Sequence, residues 1–342
     1  MHAGTPSPGV VTPRLTGTTT AAFVDALGPA SSIRVGSLAV PACGPTDVVV
    51  AVEKLVVDPV DILVRSGRFR TAVSFPFIVG RDLVGSVVDT GPGVTSVAVG
   101  DRVWCNSLGH EGRQGSFAQL VVVAADRVYR LPGSVDADTA VAVAHPAATA
   151  YLGWFVHAGL RAGQTVYVGG AAGNVGTAAV QMAASAGARV IAAARPSDHE
   201  RCRQAGADAT VDYAADGLIE RVAAHAPEGI DIVWDCGGHL PLAVAAQLVT
   251  VGGRIVASAA PAAKVVEVPL AAIYTRDVSV VGFVISRATV SDLAAGAGMI
   301  NRMLVAGTLT TRITDRLPLA QTAAAHERIE AAGFSGRLIV DP

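Results

Sequence analysis

Lysine is nearly absent from this chain: Lys54 and Lys264 are its only two, although lysine and arginine together number 26 in 342 residues. This bias toward arginine reads as codon usage in a GC-rich genome rather than as mechanism. Charge is scarce as well, at 16% of residues with a net charge of −2. Without a basic excess, the electrostatic footprint of a nucleic-acid binder is missing. Cysteine is limited to Cys43, Cys105, Cys202 and Cys236, far apart and with no C-x-x-C pair. That spacing supports neither a disulfide framework nor a cysteine zinc knuckle, and it points to a reducing, cytoplasmic setting. No apolar run reaches the ~20 residues of a membrane helix. Val141–Gly159 comes closest, but it contains His145, Pro146 and His157. Residues 1–20 lack a charged start followed by an apolar core, so they read as a disordered lead-in rather than a signal peptide.

Hydrophobic residues, in contrast, reach 51%. A parallel sheet covered on both faces by Ala-rich helices accounts for that value. The most informative stretch is Thr165-Val-Tyr-Val-Gly-Gly-Ala-Ala-Gly-Asn-Val-Gly176, followed by a helical pattern from Thr177 to Ala186. An apolar strand, a glycine-rich turn and a helix start form the layout of a dinucleotide-binding βαβ unit. The helix end offers unpaired N–H groups and partial positive charge to a pyrophosphate.

Around this unit the chain changes texture. Residues 20 to about 130 are β-rich, with apolar β-branched runs at Asp47–Val57, Leu83–Val88 and Phe117–Val123. One short helix interrupts them: Asp58-Pro59-Val60-Asp61 reads as an N-cap, a proline at the first position and an acid at the third, running to Arg65. Beyond His145, strand-like and helical patterns alternate: Thr165–Val168, Arg189–Ala194, Ala209–Val211, Gly229–Asp235 and Arg254–Ser258 are separated by helices. Alternation of this kind predicts a parallel, doubly wound sheet. Asp277–Val284 is a further strand, Val290–Ala306 a helix ended by Gly307, and Arg337–Val340 a last strand that rejoins the β-rich part.

Several further landmarks occur in order: Gly80-Arg-Asp-Leu-Val-Gly85, Gly91, Gly93, Gly100-Asp-Arg-Val103, Gly115-Ser-Phe-Ala-Gln119, Thr149-Ala-Tyr151, Ala171-Ala-Gly-Asn-Val-Gly176, Gly206-Ala-Asp208, Asp231-Ile-Val-Trp-Asp235 and Gly252-Gly-Arg-Ile255. Together they resemble the zinc-free medium-chain dehydrogenase/reductases of the quinone oxidoreductase (zeta-crystallin-like) family, from about residue 20 to the end. The resemblance implies an α/β fold in which a Rossmann sheet is inserted in a β-rich GroES-like catalytic domain. The expected division is 21–146 plus 288–342 for the catalytic domain and 147–287 for the NADPH-binding domain. Thr149-Ala-Tyr151 would begin the helix that crosses between them. The resemblance also implies a homodimer formed through the edge strand Asp277–Val284.

Cofactor choice follows from the second Rossmann strand. NAD enzymes place an acid at its end. Here Ala194 occupies that position, with Arg195 and Ser197 beyond it. A missing carboxylate and a present guanidinium favour the 2′-phosphate of NADPH. Ala172, Gly173, Asn174 and Val175 would line the pyrophosphate, with Asn174 in a turn that tolerates positive φ. Thr149, Phe283 beside the nicotinamide, and Arg337 reaching cofactor phosphate complete the expected binding set.

The implied reaction is hydride transfer from NADPH to a quinone or α,β-unsaturated carbonyl. Zinc-dependent relatives hold their metal with Cys, Gly-His-Glu and Cys; the matching positions here are Asp58, Arg81-Asp82 and His145. A guanidinium stands where an imidazole would bind, so catalytic zinc is not expected, although Asp58, Asp82 and His145 are all conceivable ligands. The catalytic candidates are His145, Asp58 and Arg81, with Asp61 and Thr149 also in the pocket. His145, taken to lie at a helix start before Pro146, is the proton-donor candidate because imidazole titrates near neutrality. Two other readings stay open: an enoyl-thioester reductase of polyketide or fatty-acyl chemistry, and a low-turnover NADPH-binding sensor.

Overall fold

A computed structural model of the protein describes residues 17–259, 265–331 and 333–342. The amino-terminal part carries β1 (Thr18–Val24), β2 (Arg34–Ala39), β3 (Asp47–Val56), α1 (Pro59–Arg65), β4 (Phe77–Ile78), β5 (Asp82–Thr90), β6 (Arg102–Cys105), β7 (Leu120–Ala124) and β8 (Tyr129–Arg130). Helix α2 (Ala137–Tyr151) leads into β9 (Thr165–Gly169), α3 (Asn174–Ser185), β10 (Arg189–Ala194), α4 (His199–Gln204), β11 (Ala209–Asp212), α5 (Leu218–His225), β12 (Ile230–Asp235), α6 (Leu242–Leu248), β13 (Val249–Ala257), α7 (Leu270–Tyr274) and β14 (Ser279–Gly282). The chain closes with α8 (Val290–Val305), β15 (Ile313–Pro318), α9 (Thr322–Glu330) and β16 (Arg337–Asp341).

Among the described residues the strands form three sheets. β2, β1 and β4 form a small antiparallel one. A larger sheet runs β15-β16-β3-β5-β6-β8, with β7 paired to β3. The last strand of the chain therefore returns beside β3, at Ile339↔Val56 and Val340↔Leu55. The third sheet is parallel, in the order β11-β10-β9-β12-β13-β14. Its order reverses direction at β9, between β10 and β12, and ligands of open α/β sheets bind at such a switch point. β9 and the centre of β12, Ile232–Trp234, are apolar and buried because helices cover both faces.

Some expectations need correction. Residues 1–16 of the expected lead-in lie outside the described residues, and Thr18–Thr20 already belongs to β1. The boundary at 146/147 falls inside α2, which begins at Ala137 and ends at Tyr151. His145 and Pro146 therefore sit deep in the helix rather than at its start. Asp136 is the N-cap, its carboxylate accepting from Thr139 N at 2.8 Å. Burial of nearly every residue from Ala140 to Ala150 outweighs the local preference of a pre-proline residue for extended backbone. Past Tyr151 the helix widens into a π-helical stretch, Leu152–Ala158, ended by Gly159 at φ 62°.

Among the described residues, no helix is long and apolar enough to cross a membrane. β14 is the exposed edge of the parallel sheet, with Val280 45% accessible.

Candidate active site

The dinucleotide loop has the geometry its glycines require. Gly170, at φ 62°, makes the turn out of β9. Gly176 packs the first turn of α3 against it: a Cβ there would come within 2.1 Å of the Gly170 carbonyl oxygen and 2.8 Å of Ala171 Cα. Gly173 is the N-cap, so the open N–H groups of α3 face the cleft. Thr177 Oγ1 donates to Ala171 O at 3.2 Å and Arg201 Nη2 donates to Ala172 O at 2.6 Å, pinning the loop from two sides. The cradle fits a dinucleotide. Asn174 is not in a positive-φ turn; it is the first helical residue, and its Nδ2 donates to Gly336 O at 3.1 Å.

A cleft of about 550 Å³ extends from this loop, bordered by Asp58, His145, Arg195, Arg201, Tyr213 and Arg337 among others. Ala172, Gly173, Asn174 and Val175 line it, and so does Ala194 at the end of β10. Arg195 is exposed at the rim, where its Nε donates to Tyr213 Oη at 3.1 Å. Tyr213 and Arg201 were not singled out from the sequence. The available signals were position after the third parallel strand for Tyr213 and a second arginine on the helix after Arg195 for Arg201.

Three expected contacts fall elsewhere, and a fourth, Arg337, borders the cleft in a different arrangement. Ser197 is exposed and does not border the cleft, because the turn Pro196–Asp198 carries it outward. Thr149 is buried, its hydroxyl donating to His145 O at 2.9 Å within α2. Phe283 stacks on His157, centroids 4.7 Å apart, and meets Trp234 edge-on, so packing rather than the cleft claims its ring. Arg337 borders the cleft with its guanidinium paired: Nη2 lies 2.8 Å from Asp58 Oδ1, and both side chains are 1% exposed.

Asp58 and Asp61 cap α1 reciprocally. Asp58 caps the helix, and its N–H donates to Asp61 Oδ2 at 2.8 Å. Proline at the first helical position costs no hydrogen bond there. This capping box aims two carboxylates into the space where His145, Arg81 and Asp82 converge. Asp82 faces His145: Nδ1 is 3.5 Å from Asp82 Oδ1, longer than a well-formed hydrogen bond. Arg81 is 2% exposed, and its Nε and Nη2 have no hydrogen-bond partner.

The electrostatics follow from burial. Burial alone would raise Asp58, but the Arg337 charge, then His145, hold its carboxyl below the usual range. Burial and the Asp58 charge push Asp61 well above that range. Burial, then Asp58, raise Asp82 to about 6. Burial lowers the Arg81 pKa, against the opposing charges of Asp61, Asp82 and Asp58. The cluster is thus a nearly self-neutralised set of three acids, two guanidinium groups and an imidazole.

Comparison with known proteins agrees with this architecture. Residues 44–133 match the alcohol dehydrogenase GroES-like domain, and residues 174–298 match the zinc-binding dehydrogenase domain. The chain is 29% identical over 308 residues to a quinone oxidoreductase of Lama guanicoe, covering 89% of this chain and 91% of that one. It is also 29% identical over 313 residues to a mycocerosic acid synthase-like polyketide synthase of Mycobacterium tuberculosis, covering 87% of this chain but 14% of that protein. Two solved structures superpose closely. An NAD-dependent alcohol dehydrogenase matches with TM-score 0.83 at 28% identity, covering 94% of this chain and 99% of that one. A mycobacterial protein complexed with NADPH matches with TM-score 0.79 at 24% identity, covering 95% and 100%. Fold and cleft together define a medium-chain dehydrogenase/reductase, an NAD(P)-binding oxidoreductase. Within that class the chain belongs to the quinone oxidoreductase-like family.

The zinc-binding dehydrogenase match raises the question of a metal. Asp58, Asp82 and His145 offer ligand atoms within 4.8 Å of one another. Their chemistry suits zinc, but their surroundings do not. Arg337 already occupies Asp58, and the Arg81 charge acts on Asp58, Asp61 and Asp82. The positive charge that an ion would bring to these carboxylates is already supplied by the two guanidinium groups. The residues do not fit a resident metal ion.

Proposed function

We propose that the protein is an NADPH-dependent, zinc-independent reductase of quinones or α,β-unsaturated carbonyl compounds. One observation carries the reading most directly. The second parallel strand ends at Ala194 with no carboxylate, and Arg195 stands at the rim of the cleft bonded to Tyr213. A guanidinium there suits a 2′-phosphate, and Arg201 adds a second cation beside the same cleft. The NADPH named for the mycobacterial structure agrees with this choice, whereas the name of the alcohol dehydrogenase specifies NAD.

When bound, the cofactor supplies the hydride. The protein's share is orientation and exclusion of water. The α3 N-terminus and loop Ala172–Val175 would hold the pyrophosphate. Asp58 and Arg337, joined as a buried pair, form a rigid wall of the cleft. His145 borders the cleft with Nδ1 turned to Asp82, which leaves Nε2 to pass a proton to the reduced carbonyl. His145→Ala should lower the reductive rate by about 10²-fold. Unchanged rates remove His145 from the mechanism. Arg81, not on the cleft surface, balances the charge of the acids. β14, exposed at the sheet edge, is the surface we assign to a homodimer; a monomer by light scattering counts against that assignment.

The likeness to the polyketide synthase favours a second reading, reduction of an enoyl thioester. A panel of quinones, enals, enones and enoyl thioesters, followed by absorbance of the reduced nicotinamide, separates the two. Turnover confined to thioesters selects the second. Binding of NADPH with no turnover of any compound selects a low-turnover sensor.

A further inference from the structure

Asp58, Asp82 and His145 are 1%, 0% and 8% exposed, and their ligand atoms lie within 4.8 Å of one another. Two carboxylates and one imidazole form a donor set that divalent transition metals accept. Asp58 and His145 border the cleft, so an entry path from solvent exists. The neighbours that oppose a metal are two guanidinium groups. Arg337 Nη2 is 2.8 Å from Asp58 Oδ1. Arg81 Nε and Nη2 are buried without hydrogen-bond partners, and the Arg81 charge acts on Asp61, Asp82 and Asp58. Neither guanidinium can lose its proton to make way for an ion, as an imidazole or a thiol would. Both are fixed by burial, at 1% and 2% exposure.

We propose that Arg337 and Arg81 hold a latent divalent-metal site closed, and that removal of a guanidinium opens Asp58, Asp82 and His145 to a transition-metal cation. The cluster reproduces the charge of a bound ion with side chains, which gives a metal-free site the same local balance. This inference deepens the metal-independent reading of the site and rests on it for the state of the wild-type protein.

The full-length protein is stripped with chelator, titrated with Co²⁺, and followed by visible absorption and by metal counted after gel filtration. Wild-type protein should retain less than about a tenth of an ion per chain, whereas Arg337→Met should approach one, with affinity raised at least ~100-fold. The gain should vanish when His145→Ala is added. Arg81→Met leaves the Asp58–Arg337 pair intact, so it decides the matter should loss of that pair prevent folding; its expected gain is about tenfold. Metal counting needs no substrate, so an error in substrate class leaves this test untouched. Wild-type protein that retains one His145-dependent ion per chain overturns both the metal-independent reading and the closed site. Folded variants that bind Co²⁺ no better than wild type overturn the latent site alone.

Discussion

Arg337 Nη2 stands 2.8 Å from Asp58 Oδ1, with both side chains 1% exposed. The pair ties the last strand of the chain to the cap of α1, and so joins the carboxyl terminus to the cleft wall. Removing one partner strands the other charge in a buried site, at a cost of about 3–5 kcal/mol. Arg337→Met should lose that much in chemical denaturation, and addition of Asp58→Asn should restore most of it. Single and double variants with additive losses would show that the two residues act separately.

Cofactor choice should move with Arg195. A hydrogen bond to a charged group contributes about 1.5–3 kcal/mol. Arg195→Ala should therefore raise the KM for NADPH by roughly 10–100-fold while leaving that for NADH nearly unchanged. Equal effects on both cofactors would place the guanidinium away from the 2′-phosphate. Arg201→Ala should add to the NADPH effect and also loosen the loop, because it donates to Ala172 O.

Stability should depend on pH through Asp82. Burial and the Asp58 charge raise its carboxyl to about 6, against an ordinary 3.8. The folded state thus holds the proton more tightly than the unfolded one. Its contribution is fully present below about pH 4 and lost as pH rises through about 6. Asp82→Asn removes this slope. Relative to wild type, the variant should gain on the order of 3 kcal/mol between about pH 4 and pH 8. Parallel pH–stability curves would contradict the raised carboxyl.

Gly176→Ala tests the loop. The added Cβ would meet Gly170 O at 2.1 Å, a contact that only movement of the helix from the strand relieves. Overpacking of this kind costs about 1–3 kcal/mol. Weaker NADPH binding should accompany that loss, read by fluorescence titration. Wild-type affinity with full stability would mean that the helix–strand spacing is slack.

Much of this was legible in the sequence because it is local. The capping box of α1 lies within Asp58–Asp61, and the dinucleotide loop within Thr165–Gly176. Strand Arg189–Ala194 was placed to the residue, since alternating strands and helices carry distinct periods. The Asp58–Arg337 pair was not legible: the residues meet only because β16 returns beside β3, and nothing in either segment specifies that partner. The placement of His145 failed for a related reason. Pro146 signals a helix start locally, but tertiary burial carried α2 through it. Asn174, expected in a positive-φ turn, is the first helical residue, and the left-handed residue is Gly170.

The most direct test is turnover of NADPH with a quinone by protein exhaustively treated with chelator. Undiminished hydride transfer, with NADPH preferred to NADH by about tenfold or more, is the predicted result. Activity that disappears on chelation and returns with zinc, or that runs equally well with NADH, would contradict a guanidinium-filled, NADPH-selective site.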